Sequence, residues 1–213
     1  RMEILLITLM VVAIVVGIVL SVLLGMLLEW ALISHLYQRD HLEQVLLTYG
    51  LILLFEELRS LIVGNDVHGV AVPAIFNWSI PLTETLSYPV YRLFMSAVCL
   101  ALAGLLYLLI HRTRIGMMIR AGASNREMVS ALGLNINLVY RLVFALGVAL
   151  AAFAGMIAAP VSSVYPGMGT QVLIICFVVV VIGGIGSVWG ALFAALLSGL
   201  ADTFGKVLSP EAA

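Results

Sequence analysis

Residues 111–137, read HRTRIGMMIRAGASNREMVSALGLNIN, form a polar island in a chain that is otherwise almost entirely soluble in lipid. Arg112, Arg114, Arg120 and Arg126 stand in it against a single acid, Glu127. Membrane insertion retains Lys- and Arg-rich loops on the cytoplasmic side, so the island orients everything around it. It is also long enough to fold. Ser124-Asn125-Arg126-Glu127 fits a capping box, in which the Glu127 amide donates to the Ser124 hydroxyl and the Glu127 carboxylate accepts from the Ser124 amide. Gly133 then supplies a stop, because glycine takes the left-handed conformation without steric cost. The spacing predicts one amphipathic helix of about two turns, with Met128, Val129, Ala131 and Leu132 as its apolar side. So short a helix needs a surface to pack on.

Of the 213 residues, 63% are hydrophobic and 10% charged, and the mean hydropathy is +1.20. Soluble domains carry about a quarter charged residues, so this is an integral membrane protein of all-α class, a polytopic transmembrane helix bundle. The formal charge of -1 says little, since orientation depends on where charges sit. Cys99 and Cys176 fall inside apolar stretches and read as buried small hydrophobes. His35, His41, His68 and His111 are scattered without metal-ligand spacing. No P-loop, zinc-protease, paired-cysteine or nucleophile-elbow motif occurs, which argues against hydrolysis by the chain itself.

About six spans follow from the apolar runs. Residues 4–28 carry no charge and exceed the roughly 20 residues needed to cross the hydrocarbon core. The second span, 45–63, is interrupted by Glu56, Glu57 and Arg59; the third is 89–110. Residues 142–201 contain no Asp, Glu, Lys or Arg, too long a run for one crossing. Pro160, Pro166, Gly167 and Gly169 are expected to break it first, and the run 183–187 again, giving spans at 138–159, 172–182 and 188–204. Residues 60–91 and 160–171 lack Lys and Arg, whereas Arg39 follows the first span and the four arginines follow the third. The first, third and fifth spans therefore descend to the cytoplasm and the others rise. The chain begins at Arg1 without Met and stops directly after a crossing, and it reads as a fragment lacking spans at both ends.

Small residues recur at four-residue spacing at Gly147, Ala151, Gly155 and Ala159, and at Gly190, Ala194 and Ser198, making flat faces for close helix approach. Glu56 and Glu57 either line a substrate path or sit near a span end, with Glu56 pairing Arg59 at i, i+3. Gly183, Gly184, Gly186 and Ser187 likewise allow two readings, an unwound backbone lining a cavity or a tight turn.

In their order, Arg112-Thr113-Arg114-Ile115-Gly116, Arg120-Ala121, Asn125, Ala131-Leu132-Gly133-Leu134-Asn135, Tyr165-Pro166-Gly167-Met168-Gly169, the run 177–187 (FVVVVIGGIGS) and Gly190-Ala191 resemble a known family. It is the inner-membrane permease subunit of bacterial ABC importers for branched-chain amino acids, together with urea and short-chain amide permeases. The resemblance covers nearly the whole chain. It implies one transmembrane permease domain over 1–213, multi-pass in the inner membrane, with 111–137 as a cytoplasmic coupling segment that docks into a groove on a separate ATPase. Arg120, Ser124, Asn125, Arg126, Glu127, Met128, Ala131, Leu132 and Gly133 would form that contact, Met128 and Leu132 filling the groove while Arg126 and Glu127 orient the helix. In place of the Glu-Ala-Ala opening of importer coupling segments, Ala121-Gly122-Ala123 stands before the acid. The implied partners are a second permease subunit, two ATPase subunits that use the ATP, a periplasmic substrate-binding protein and the lipid bilayer. No cofactor bound by this chain and no nucleic acid are implied.

Two other classes compete. A secondary transporter driven by an ion gradient needs ionisable groups near mid-membrane in several spans, and residues 142–201 offer none. A membrane scaffold would use the small-residue faces but leaves the capped helix without a purpose.

With Cys99 and Cys176 replaced by Ala, a cysteine at Asn125 should resist an impermeant thiol reagent applied to intact cells, and one at Tyr165 should react. Labelling at 125 but not at 165 inverts the topology.

Overall fold

Hydrocarbon offers no water to backbone groups, so apolar runs this long settle into helices, where each segment satisfies its own N–H and C=O groups. A computed structural model describes residues 2–36, 41–72, 79–83, 86–133, 135–184 and 187–208. α1 (Met2–Leu28) runs on through a π-helical turn, Glu29–Ile33, into α2 (Ser34–Leu36). Then come α3 (His41–Val63), the strands β1 (Ser79–Thr83) and β2 (Leu86–Pro89), α4 (Val90–Arg112), α5 (Arg114–Ser124), α6 (Arg126–Ala131), α7 (Ile136–Ser162), α8 (Met168–Gly183) and α9 (Val188–Leu208).

The all-α polytopic class stands. Among the described residues, Val11–Ile33, Val90–Arg112, Ile136–Ser162 and Val188–Gly205 are long and apolar enough to cross a bilayer. The other two expected spans are helices of a different character. α3 contains Glu43, Glu56, Glu57 and Arg59. α8 has 16 residues, a rise of about 24 Å against a core of roughly 30 Å. Between α3 and α4, where only a loop was expected, β1 and β2 pair antiparallel, Ile80 opposite Tyr88. Pro81 and Pro89 hide that hairpin from a sequence reading, and a two-stranded ribbon tolerates them because both strands are edges. Trp78, which the loop charges put with Tyr165 on the side opposite Asn125, lies outside the described residues.

The chain divides into two compact units, Arg1–Pro166 and Gly167–Ala213. In the first, α1 lies along α7, with Gly17 facing Met156 and Gly25 facing Val148. The close-approach glycines of this seam are therefore on α1. On α7 Ala159 is buried, whereas Gly147, Ala151 and Gly155 are exposed and open space surrounds both glycines. At one end of this unit the His68 and Val164 backbones exchange two hydrogen bonds of 2.8 Å. That pairing joins the connections after α3 and after α7, which the loop charges assign to one side.

α7 does not break at Pro160. It continues to Ser162 and turns at Ser163, φ 57°. Proline removes one ladder donor, and neighbours take up the carbonyls of the last turn: Tyr91 Oη donates to Ile157 O at 2.8 Å, Ser162 Oγ to Ala158 O at 3.0 Å and the Ser163 amide to Ala159 O at 2.9 Å. Cys99 and Cys176 are exposed on their helices rather than buried.

In the second unit α8 and α9 are joined by a tight turn. Gly184 is left-handed at φ 83°, Gly183 and Gly190 meet backbone to backbone with no space for a side chain on either, and the Gly190 amide donates to Ser187 Oγ at 2.9 Å. Ala194 is buried one turn further on.

A Cβ on Gly25 would stand 2.9 Å from a Val148 methyl, and one on Gly17 2.9 Å from the Met156 sulfur. Valine is stiff at χ1 while Met156 can swing aside. Gly25→Ala should therefore lower stability by about 1–3 kcal/mol and Gly17→Ala by less, read as thermal midpoints in detergent.

Candidate functional site

The polar island begins where α4 ends. Thr113 is extended, and its Oγ1 accepts a hydrogen bond from the Gly116 amide at 3.1 Å, capping α5. Gly116 sits against the Ile110 carbonyl, where a side chain has no room. Arg120 Nη1 donates to that same carbonyl. The Arg120 expected at a partner surface thus reaches back to fasten the α4–α5 corner.

The one short helix expected here is two. Ser124 closes α5, and the Asn125 amide donates to Ala121 O at 3.0 Å. Asn125 then opens α6, its Oδ1 accepting from the Met128 amide at 3.0 Å. The cap is Asn125, one residue beyond the Ser124 of the predicted box. Asn caps as well as Ser, and Ser124 is already committed to α5. With Asn125 as cap, Met128 and not Glu127 holds the third helical position, so the reciprocal carboxylate arm has no place. The Arg126 and Glu127 backbones open α6; their side chains lie outside the described residues. Gly133 stops the helix as expected, at φ 80° with its amide on Ser130 O at 3.0 Å.

Burial divides the predicted apolar side in two. Val129 is 3% exposed, while Met128 is 61% and Leu132 74% exposed, with Ala131 exposed beside them. Val129 is buried, as are Ile136 and Val139 at the start of α7, and α6 packs on that helix. Gly122 of α5 is buried as well, and a Cβ on it would stand 3.5 Å from Ile136 Cδ1.

Sequence reasoning missed an ion pair at this end of the first unit. Arg141 Nε lies 3.1 Å from Glu29 Oε2, with the Glu29 side chain 2% and the Arg141 side chain 42% exposed. Glu29 opens the π turn, in which the Ser34 amide reaches five residues back to the Glu29 carbonyl. The signal was present as two opposite charges bounding apolar runs. Glu29 ends the first expected span and Arg141 lies inside the fourth, 138–159.

Of the expected path residues, Glu56 is half-buried and Glu57 exposed late in α3. Arg59 reaches forward to the Gly64 carbonyl at 3.1 Å rather than back to Glu56, closing the end of α3. Gly183, Gly184 and Ser187 form the α8–α9 turn, and Gly186 lies outside the described residues. A cavity of about 400 Å³ opens between α1, α4 and α7, lined by Ile14, Val70, Tyr91, Phe94, Met156 and Pro160 among others, and by none of the path candidates.

Over residues 1–212 the chain matches the family described as branched-chain amino acid transport system, permease component. It is 41% identical over 101 residues to the high-affinity branched-chain amino acid transport system permease protein BraD of Pseudomonas aeruginosa, covering 47% of this chain and 33% of that protein. It is 32% identical over 170 residues to the permease protein LivH of the same kind of system in Salmonella typhimurium and Escherichia coli, covering 76% of this chain and 54% of LivH. The chain thus spans between a third and about half the length of these relatives. No solved structure matches it.

Asn125→Ala should destabilise α6 by about 1 kcal/mol, the usual worth of a cap, and hydrogen exchange at the Met128 amide should accelerate about fivefold at that energy. Ser124→Ala should leave that amide unchanged.

Proposed function

The chain belongs to the permease component family of branched-chain amino acid transport systems, and from that membership we propose that it is a membrane-spanning subunit of an ATP-driven importer carrying branched-chain amino acids into the cytoplasm. The substrate assignment follows the names of BraD and LivH. The observation that carries the mechanism is the exposed pair Met128 and Leu132 on a helix held down by Val129. Side chains at i and i+4 project from one face, and two large apolar groups presented by a capped helix suit a hydrophobic groove on a protein.

In this reading residues 111–137 dock on a cytoplasmic ATPase subunit. Met128, Ala131 and Leu132 enter its groove, Arg126 and Glu127 orient the helix, and Arg120, Ser124, Asn125 and Gly133 hold its shape. ATP is hydrolysed on that partner, and this chain binds no cofactor of its own. Closure of an ATPase pair moves α6, and Val129 passes the motion to the start of α7. A second permease subunit completes the pathway, and the open face of Gly147, Ala151 and Gly155 offers it a close approach. A periplasmic binding protein delivers the substrate across the outer face of the inner membrane. Glu56, Glu57, Gly183, Gly184, Gly186 and Ser187 are the candidate path positions.

Leu132→Asp should place a charge in the docking groove. In vesicles holding the complete transporter, it should abolish binding-protein-stimulated uptake while substrate capture by the binding protein stays normal. Normal uptake with the ATPase still attached would sink the coupling role of α6.

A further inference from the structure

Glu29 and Arg141 occupy the same end of the first unit as the coupling segment, on the two helices that share the glycine seam. α1 faces α7 at Gly17 and Met156 and again at Gly25 and Val148, and just past α1 Glu29 meets Arg141, so the ion pair closes a row of contacts along the second half of α1. Glu29 is 2% exposed. A carboxylate placed there has exchanged water for one guanidinium and the groups around it, a costly arrangement in a membrane span unless it serves a purpose. The π turn beginning at Glu29 inserts an extra residue into α1 at this point, and such bulges are costly local departures that gather at functional positions. α7 receives α6 at its first turns, through Val129, Ile136 and Val139, and Arg141 stands one residue beyond the first turn and a half of that helix.

We propose that Glu29 and Arg141 are positioning residues that clasp α1 to α7, so that displacement of α6 moves the two spans as one body. The clasp rests on the docking role of α6 proposed above. The seam fits α1 to α7 by van der Waals contact at Gly17 and Gly25, and the ion pair adds a polar contact where that seam ends. A charge-assisted contact at the driven end fixes register, and it does so where the load enters. Arg141 is suited to the task because its guanidinium is permanently charged; its Nε stands 3.1 Å from the acid, an ion pair without hydrogen-bond alignment, and the side chain is 42% exposed. The proposal distinguishes the pair from an ordinary span-end snorkel, in which both side chains would face water and either could be neutralised without effect.

Two arms test it with the full-length protein. In the first, the permease alone is held in lipid nanodiscs with Cys99→Ala and Cys176→Ala, and spin labels replace the exposed Trp30 and Leu142 beside the pair. Wild type should give one narrow distance distribution, Glu29→Gln a broadened one, and the charge-swapped double variant Glu29→Arg with Arg141→Glu a narrow one again. This arm needs no ATPase, so it decides on the clasp even if the docking reading fails. In the second, the complete transporter is reconstituted, and substrate moved per ATP hydrolysed should fall about fivefold or more in Glu29→Gln, the range of an ordinary coupling energy. ATP hydrolysis and ATPase attachment should persist, and the swap should restore transport. A narrow distribution in a monodisperse Glu29→Gln protein overturns the clasp, as does unchanged transport per ATP. Failure of any ATPase to associate with wild type overturns the docking role instead.

Discussion

A peptide group or a charge inside hydrocarbon has no solvent to turn to, and that constraint governs every irregular feature of the structure. Each unsatisfied backbone group costs several kcal/mol there, so a departure from the regular helix persists only where a neighbour takes up the loose group. Around Pro160 the last turn of α7 stays closed, its Ile157, Ala158 and Ala159 carbonyls accepting from Tyr91, Ser162 and Ser163. Glu29 is tolerated because Arg141 reaches it. Arg141, 42% exposed, keeps access to solvent on its own, whereas Glu29, 2% exposed, does not, so the pair matters more to the acid than to the base.

The seam depends on the same solvent in another way. Lipid tails compete with apolar side chains for helix surfaces, so helices associate through close van der Waals fit rather than through escape from water. Gly17 and Gly25 on α1 supply that fit by letting Met156 and Val148 approach the backbone. They are eight residues apart, and Glu29 follows Gly25 by four, so the three stand on one i+4 row that winds about the helix by about 40° at each step of four. The charge pair is thus the polar end of an apolar contact, and its position on α1 is set by the glycines before it.

The sequence made the helices legible because long uncharged runs admit no other conformation in lipid, and loop charges made their direction legible. Boundaries were less so. Pro160 looked like a break, yet α7 runs on to Ser162 and its last turn is tied to Tyr91, 66 residues from Ile157, which no local pattern reveals. Ser124-Asn125 offered two acceptable caps in succession, and the choice fell to Asn125 because a second helix, α5, ends on Ser124. That helix was obscured by its four-residue apolar content being read as part of the loop. The split of Met128 and Leu132 from Val129 was beyond a two-turn pattern, since all three are apolar and only the packing of α7 selects one of them. Glu29 and Arg141 were visible individually, but nothing in the sequence pairs residues on spans so far apart.

α6 has six residues, too few to stand alone, because nucleation costs more than so short a ladder returns. What holds it is the Asn125 cap at about 1 kcal/mol and burial of Val129 at about 2 kcal/mol, with both ends covalently tied to helices that pack on each other. A partner that buried Met128 and Leu132 would gain roughly 3–5 kcal/mol from their apolar area, more than the local anchoring of α6. Grip stronger than anchorage would peel a free helix away. Here peeling is blocked at both ends: α5 is fixed to the α4 corner by Arg120 and to α7 through Gly122 and Ile136, and Asn135 caps α7 two residues after Gly133. A pull on Leu132 therefore cannot be absorbed by unwinding α6 without also breaking α5 from α7, and the displacement passes into the spans.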